Sequence, residues 1–196
     1  MEPALGLIET KTIVAGIELA DALCKRAPVV LRRLFTLTPG KMIIVFTGDE
    51  APVEESWRRG LEVAGEAVLD SLFLPAVEPR VAGALFSGGP RCPVGPGEAL
   101  GAVETLSVAS CVVAADVALK AARVDLIELR LRRELGGKGY FLICGSHGDT
   151  EAALEAAALR LAEVDPPMLA GTLLIPRPHD DMLRELLAAN EASAWS

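Results

Sequence analysis

The sequence predicts an α+β protein built from two tandem copies of one β-α-β-β-α-β unit, the split ferredoxin-like arrangement. Three observations carry this. Residues 4–31 and 99–126 are identical at 11 of 28 positions at a constant offset of 95. Apolar periodicity changes between strand and helix spacing in the same order in both halves. A stretch dominated by Gly and Pro, from Phe86 to Gly97, separates the halves and keeps no apolar period, so it reads as a linker. The expected organisation is a first domain over 1–85, a linker over 86–97, a second domain over 98–190 and a polar tail over 191–196.

Each element appears twice. A short apolar strand opens the unit, Ala4–Ile8 or Leu100–Val103. A helix follows, capped by Thr10 or Thr12 in the first copy and by Thr105 or Ser107 in the second. Ile13, Ile17, Ala20 and Cys24 recur at helical spacing, matched by Val108, Val112, Ala115 and Leu119, and predict its buried face. Two strands come next. In the second copy Ile127, Leu129 and Leu131 alternate with Glu128, Arg130 and Arg132, the pattern of a half-buried strand. A glycine turn, Pro39-Gly40 or Gly136-Gly137, leads into the apolar strands Met42–Phe46 and Tyr140–Ile143. A second helix, near Pro52–Ala67 or Thr150–Glu163, is expected after a matched Gly-Asp pair, Gly48-Asp49 and Gly148-Asp149. The last strand, Ser71–Leu74 or Gly171–Ile175, ends at Pro75 or Pro176, and the second copy adds a helix near Asp180–Ala189.

Composition narrows the function. Hydrophobic residues make up 51% and charged residues 23% of the 196, which is a folding composition. Aromatics are only 4%, so the core must come from Ala, Val, Leu and Ile. The formal charge of −8 argues against nucleic acid, whose phosphates require a basic surface. No apolar run approaches a membrane span, and the first residues carry no secretory pattern, so a cytoplasmic protein is expected. Cys24, Cys92, Cys111 and Cys144 form no Cys-x-x-Cys pair, so they point to neither structural zinc nor a thioredoxin motif. His147 and His179, with Asp149, Asp180 and Asp181 nearby, lack a metal-binding spacing. Ser107, Ser110 and Ser146 have no nucleophile-elbow context. No catalytic residue and no metal ligand is expected. Neither Gly-Lys turn is a phosphate loop, because the first glycine is missing and Met42 or Gly139 stands where Ser or Thr is needed.

The strings ALGLIET, ADALCKRAPV, TPGK and IPRPHDDM, echoed in the second copy by ALGAVET, ADVALKAARV and GGK, resemble the shell-protein domain of bacterial microcompartments. Two such domains in unpermuted order are similar to the tandem-domain shell proteins, most of all the propanediol-utilisation type that carries an iron–sulfur cluster. The resemblance implies a homotrimer whose six domains imitate a hexamer, and a flat sheet tiled with other shell proteins. It also implies encapsulated enzymes behind the sheet and a central pore that passes metabolites or electrons. It places Thr38, Pro39 and Gly40, with Leu135, Gly136 and Gly137, at that pore. It places Lys25, Lys120 and Arg177 along the subunit edge, with Ala76 opposite Arg177 in the first copy.

In the cluster-bearing relatives a cysteine precedes the Pro-Gly-Lys of the pore turn. Thr38 stands there in this chain, and a hydroxyl cannot replace a thiolate on an iron–sulfur cluster. No cofactor is therefore expected. The four cysteines read as structural: Cys24 on the buried helix face, Cys111 at a small packed position, Cys144 at a strand end and Cys92 in the linker. Two rival readings stand beside the pore-forming shell component. One is an electron-transfer shell protein with unconventional cluster ligands. The other is a tandem ferredoxin-like regulatory module that binds a small molecule between its domains.

Overall fold

The computed structural model describes the chain except residues 1–2, 88–93, 96, 132–134 and 189–196. Cys92, Arg132 and the expected tail lie outside the described residues. The first copy runs β1 Ala4–Thr10, α1 Ile13–Arg26, β2 Val30–Leu37, β3 Lys41–Gly48, α2 Glu50–Ala64, β4 Val68–Leu74 and α3 Pro79–Phe86. The second runs β5 Ala99–Thr105, α4 Val108–Ala121, β6 Val124–Arg130, β7 Gly139–Gly145, α5 His147–Ala162, β8 Leu169–Ile175 and α6 Asp180–Ala188. Each copy folds one four-stranded antiparallel sheet, ordered β2-β3-β1-β4 and β6-β7-β5-β8. This is the split β-α-β-β-α-β order that the repeat predicts.

Local chemistry sets the helix starts. Of the two candidate caps in each copy, Thr12 and Ser107 serve: their hydroxyl oxygens accept from the N–H of Ala15 and Ser110. Thr10 and Thr105 instead donate to the carbonyls of Thr12 and Ser107 and close the turn into the helix. Gly6 is fixed by close approach, since a Cβ there would lie 2.3 Å from the ring of Phe46, its partner across β3.

The strand register relocates one insertion. Gly48 and Gly145 are counterparts, because they pair with Ala4 and Ala99. The Gly-Asp match is therefore coincidental, and α5 starts at His147, before Asp149. Ser146 caps it, accepting from the N–H of Asp149 at 3.1 Å. The extra residues fall between this helix and the last strand, where Asp70 of β4 and Gly171 of β8 occupy equivalent places opposite Glu9 and Glu104.

The two sheets share one core. Leu5, Leu7, Ile43, Val45 and Leu72 of the first sheet join Val108, Val112 and Ala115 of α4 and Phe141 and Ile143 of the second sheet. Helix α4 is thus packed between the sheets, and eleven of its fourteen residues are buried. Its alanines 109, 114, 115 and 118 keep both sheets close. Helix α1 has no such cover on its outer side. Its buried residues are Gly16, Leu19, Ala20 and Leu23, whereas Ile13, Ile17 and Cys24 are exposed. The predicted face, with Cys24 in the core, is corrected for α1, while the matching α4 face Val108, Val112, Ala115 and Leu119 is buried. Cys111 is buried, as its small packed position predicts, and Cys144, near the end of β7, is buried too.

Two further departures concern β6 and α3. A bulge at Ile127, matched by one at Arg32 in β2, breaks the alternation. The bulge turns Ile127 to the face of Leu100, Leu142 and Cys144, against which α6 packs; Glu128 and Arg130 are buried rather than solvent-facing, and they pair with each other while the Tyr140 hydroxyl donates to Glu128 at 3.1 Å. Helix α3 was not expected. Pro79 occupies the first turn, where its missing N–H costs nothing, and Glu78 caps the helix.

Candidate functional site

The β2–β3 turn contains Thr38, Pro39 and Gly40, closed by the Gly40 N–H donating to the Leu37 carbonyl at 2.8 Å. Gly40 has φ of 119°, which a side chain would strain. Thr38 and Pro39 are exposed at its tip. The second-copy turn is closed by the Lys138 N–H donating to the Leu135 carbonyl at 3.1 Å. Leu135 is half-buried, Gly136 exposed and Gly137 buried. The fold brings the two turns together, because a Cβ on Gly137 would lie 2.6 Å from Nζ of Lys41.

Lys41 also marks the junction between the domains. Its Nζ pairs with Oε1 of Glu9 at 3.1 Å, and Oε2 of Glu9 accepts from the Val108 N–H at 3.0 Å. Glu9 is fully buried, so a carboxylate of the first domain holds the N-terminus of α4. Asp70 adds to this anchor: it accepts from both hydroxyls Ser107 and Ser110 and from the Ser110 N–H at 3.1 Å. On the other side Arg80 of α3 donates to the carbonyls of Val124 and, at 3.1 Å, Leu119. The sequence reading singled out neither Glu9, Asp70 nor Arg80. The repeat carried a signal for Asp70, whose counterpart is Gly171, and for Arg80, whose counterpart is Asp181.

Burial raises the Glu9 carboxyl above its ordinary 4.5, opposed by the charge and hydrogen bond of Lys41 and the Val108 N–H, with the charge of Asp70 adding to the rise. A raised folded value means that the contribution of Glu9 is full below 4.5 and is lost as pH rises through the folded value. The stability of the native chain relative to Glu9→Gln is therefore expected to grow as pH falls from about 7 toward 4.5. Urea midpoints of both proteins across that window measure it, and a difference that shrinks on acidification contradicts the assignment.

The edge candidates occupy different surroundings. Lys25 has a side chain 74% exposed and pairs with Asp21 at 2.6 Å. Lys120 pairs with Asp116 at 2.7 Å, but its Nζ also donates to the Ala76 carbonyl at 2.6 Å. It therefore bridges the two domains inside the chain. Arg177 is exposed and lines a crevice with Val94 and Gly95 of the linker.

Thr38 does not fit an iron–sulfur cluster, since a hydroxyl is too weak and hard a ligand. Cys111 and Cys144 are buried, and burial pushes the Cys111 thiol up to about 12. His147 opens α5 and His179 precedes α6, and both are exposed. Among the described residues no three His, Cys, Asp or Glu side chains gather in a metal-holding group. No described helix is long and apolar enough to cross a membrane.

Two sheets with paired glycine turns, and a helix locked between them, define a tandem-domain protein whose halves are built to pack side by side. The BMC domain matches residues 4–77 and again 99–178. The bacterial microcompartment shell protein PduT of Citrobacter freundii is 36% identical over 187 residues, covering 95% of this chain and 99% of that protein. The shell protein EutM of Salmonella typhimurium is 35% identical over 92 residues, covering 43% of this chain and 84% of that protein. A crystal structure of a microcompartment protein from Desulfitobacterium hafniense aligns with a TM-score of 0.78 at 37% identity, over 94% of this chain and 99% of that one. A fused permuted hexameric shell protein from the RMM microcompartment shares the fold, with a TM-score of 0.63 at 23% identity over 82% and 81% of the chains. The chain belongs to the BMC-domain family, with the domain present twice in tandem.

Proposed function

We infer that this chain is a structural shell protein of a bacterial microcompartment and that it acts as a homotrimer with pseudo-six-fold symmetry rather than as an enzyme. One observation supports the trimer above all. The surfaces that the domain junction buries inside the chain have counterparts that the chain leaves bare. Val108, Ala109 and Val112 of α4 are buried, while their counterparts Ile13, Val14 and Ile17 of α1 are exposed. Leu72 of β4 is 3% exposed, and its counterpart Leu173 of β8 is 53% exposed. Repeating the junction between chains covers both, and three repeats close a ring.

The domain limits 1–85 and 98–190, with the linker 86–97 and tail 191–196, follow this reading, and α3 then lies at the junction, where Val81 and Leu85 join the shared core. The adjacent turns of both copies support a central pore, in which Thr38 presents a hydroxyl and half-buried Leu135 backs it. Metabolites are its proposed cargo. Thr38 gives no support to an electron-transfer cluster, and no separate observation favours a regulatory module. Other shell proteins, and enzymes enclosed behind the sheet, are the proposed partners. Electron microscopy of concentrated protein tests the reading: flat sheets or tubes with a hexagonal repeat are expected, and protein that stays dispersed under every condition that assembles a known shell tile contradicts it.

Lys25, Lys120 and Arg177 are proposed along the tile's edges. Lys25→Asp is the cleaner probe, because Lys120 also serves the junction within the chain. Lys25→Asp is expected to leave the trimer intact, since one exposed contact is worth at most about 1 kcal/mol, and to impair sheets. Normal sheets from this variant contradict the edge assignment.

A further inference from the structure

One end of the second sheet is an open seat whose counterpart in the first domain is filled. There Leu7, Glu9, Asp70 and Leu72 receive the start of α4, with Val108 and Val112 in the shared core. Strand register puts Ala102, Glu104, Gly171 and Leu173 at the equivalent place in the second domain. With Tyr140 they line a groove of about 430 Å³. Helix α6 packs beside Leu100, Ile127, Leu142 and Cys144, and none of its described residues lines the groove. The charged pair recurs as well. Lys138 pairs with Glu104 at 2.9 Å, as Lys41 pairs with Glu9 at 3.1 Å. Glu9 is fully buried and its second oxygen accepts from the Val108 N–H, whereas Glu104 is half exposed.

The start of α1 matches this seat in size and in charge. Val108 and Val112 have the longer counterparts Ile13 and Ile17 on α1, and both are exposed. The seat is smaller in step, with Ala102 standing for Leu7 and Gly171 for Asp70. Neither α1 nor α4 has an acidic residue in its first turn. The amide N–H groups at the start of α4 are therefore served by Glu9 and Asp70 from the other domain, and those of α1 call for the same from outside its own chain.

We propose that Glu104 and Lys138 of one protomer clamp the start of α1 of the next, with the Glu104 carboxylate accepting from the Ile13 N–H. Gly171 leaves this seat with one anchor where the seat inside the chain has two, because Asp70 also accepts from Ser107 and Ser110. The junction between chains is thus the less anchored of the two, and one added carboxylate strengthens it.

The clamp rests on the trimer reading, and sedimentation of the full chain through a urea series tests both, with circular dichroism reporting folding. Glu104→Gln keeps the shape and removes the charge. It is expected to weaken association about tenfold at each junction, the strength of a hydrogen bond to a charged group, so the trimer dissociates at lower urea. Gly171→Asp with Ala15→Ser installs the missing anchor, since residue 15 stands where Ser110 does and Thr12 where Ser107 does. A Cβ on Gly171 meets nothing within its own chain, so the monomer is unaffected and the trimer is expected to survive to higher urea. A trimer that keeps its native midpoint in Glu104→Gln overturns the clamp. One that Gly171→Asp with Ala15→Ser fails to strengthen overturns the equivalence of the two seats. Both results leave the trimer reading intact. A native chain that sediments as a monomer without urea overturns the clamp together with the reading beneath it.

Discussion

Ile17→Asp combined with Leu173→Asp is expected to convert the trimer into a folded monomer. Both side chains are exposed in the single chain, so neither change disturbs its core. Their counterparts Val112 and Leu72 sit in the shared core of the intrachain junction. Burying an aliphatic side chain there stabilises by about 1.5–3 kcal/mol. Replacing both by carboxylates removes that gain and buries charge without a partner, which costs several kcal/mol more. The effect repeats at every interchain junction of the ring. Val112→Asp provides the contrast: placed inside the chain, the same chemistry is expected to prevent folding rather than assembly. Circular dichroism with sedimentation separates the two. A double variant that remains trimeric shows that α1 and β8 do not meet between protomers.

Thr38→Cys is expected to create a metal site. Thr38 is exposed at the tip of a turn whose shape Gly40 fixes, and it has no part in the core. Three such turns around an axis bring three thiols together, and soft thiolates bind thiophilic divalent metals tightly. The expected result is one metal per trimer, bound cooperatively and blocking alkylation. Three independent thiols that alkylate freely and hold no metal place residue 38 away from the axis. The native chain, with three hydroxyls there, is expected to contain neither stoichiometric iron nor acid-labile sulfide after anaerobic preparation.

The repeat made most of the fold legible, because each element was seen twice and errors in one copy were checked by the other. What it hid were the differences that assembly imposes. Ile13, Ile17 and Cys24 carry the same helical spacing as Val108, Val112 and Leu119, yet only α4 has a second sheet to cover it. Periodicity reports which face is apolar; whether it is covered depends on a neighbour that one strand of text does not contain. Helix α3 was not predicted, although Pro79 at its start is favourable there. The burial of Arg130 was hidden because the alternation of β6 shows two faces but not that α6 packs on the second of them, and the bulge that turns Ile127 to that face leaves no mark in composition. The turns Thr38–Gly40 and Leu135–Gly137 were visible as turns, but their meeting through Lys41 was not. Glu9 looked like an ordinary repeat residue, and only the fold reveals it as the carboxylate that holds α4.

The claim that the chain closes a ring by repeating its own domain junction is tested most directly by sedimentation equilibrium of the purified full chain at micromolar concentration. A single species at three times the 20.6 kDa chain mass is the expected result, and a monomer or dimer across that range contradicts it.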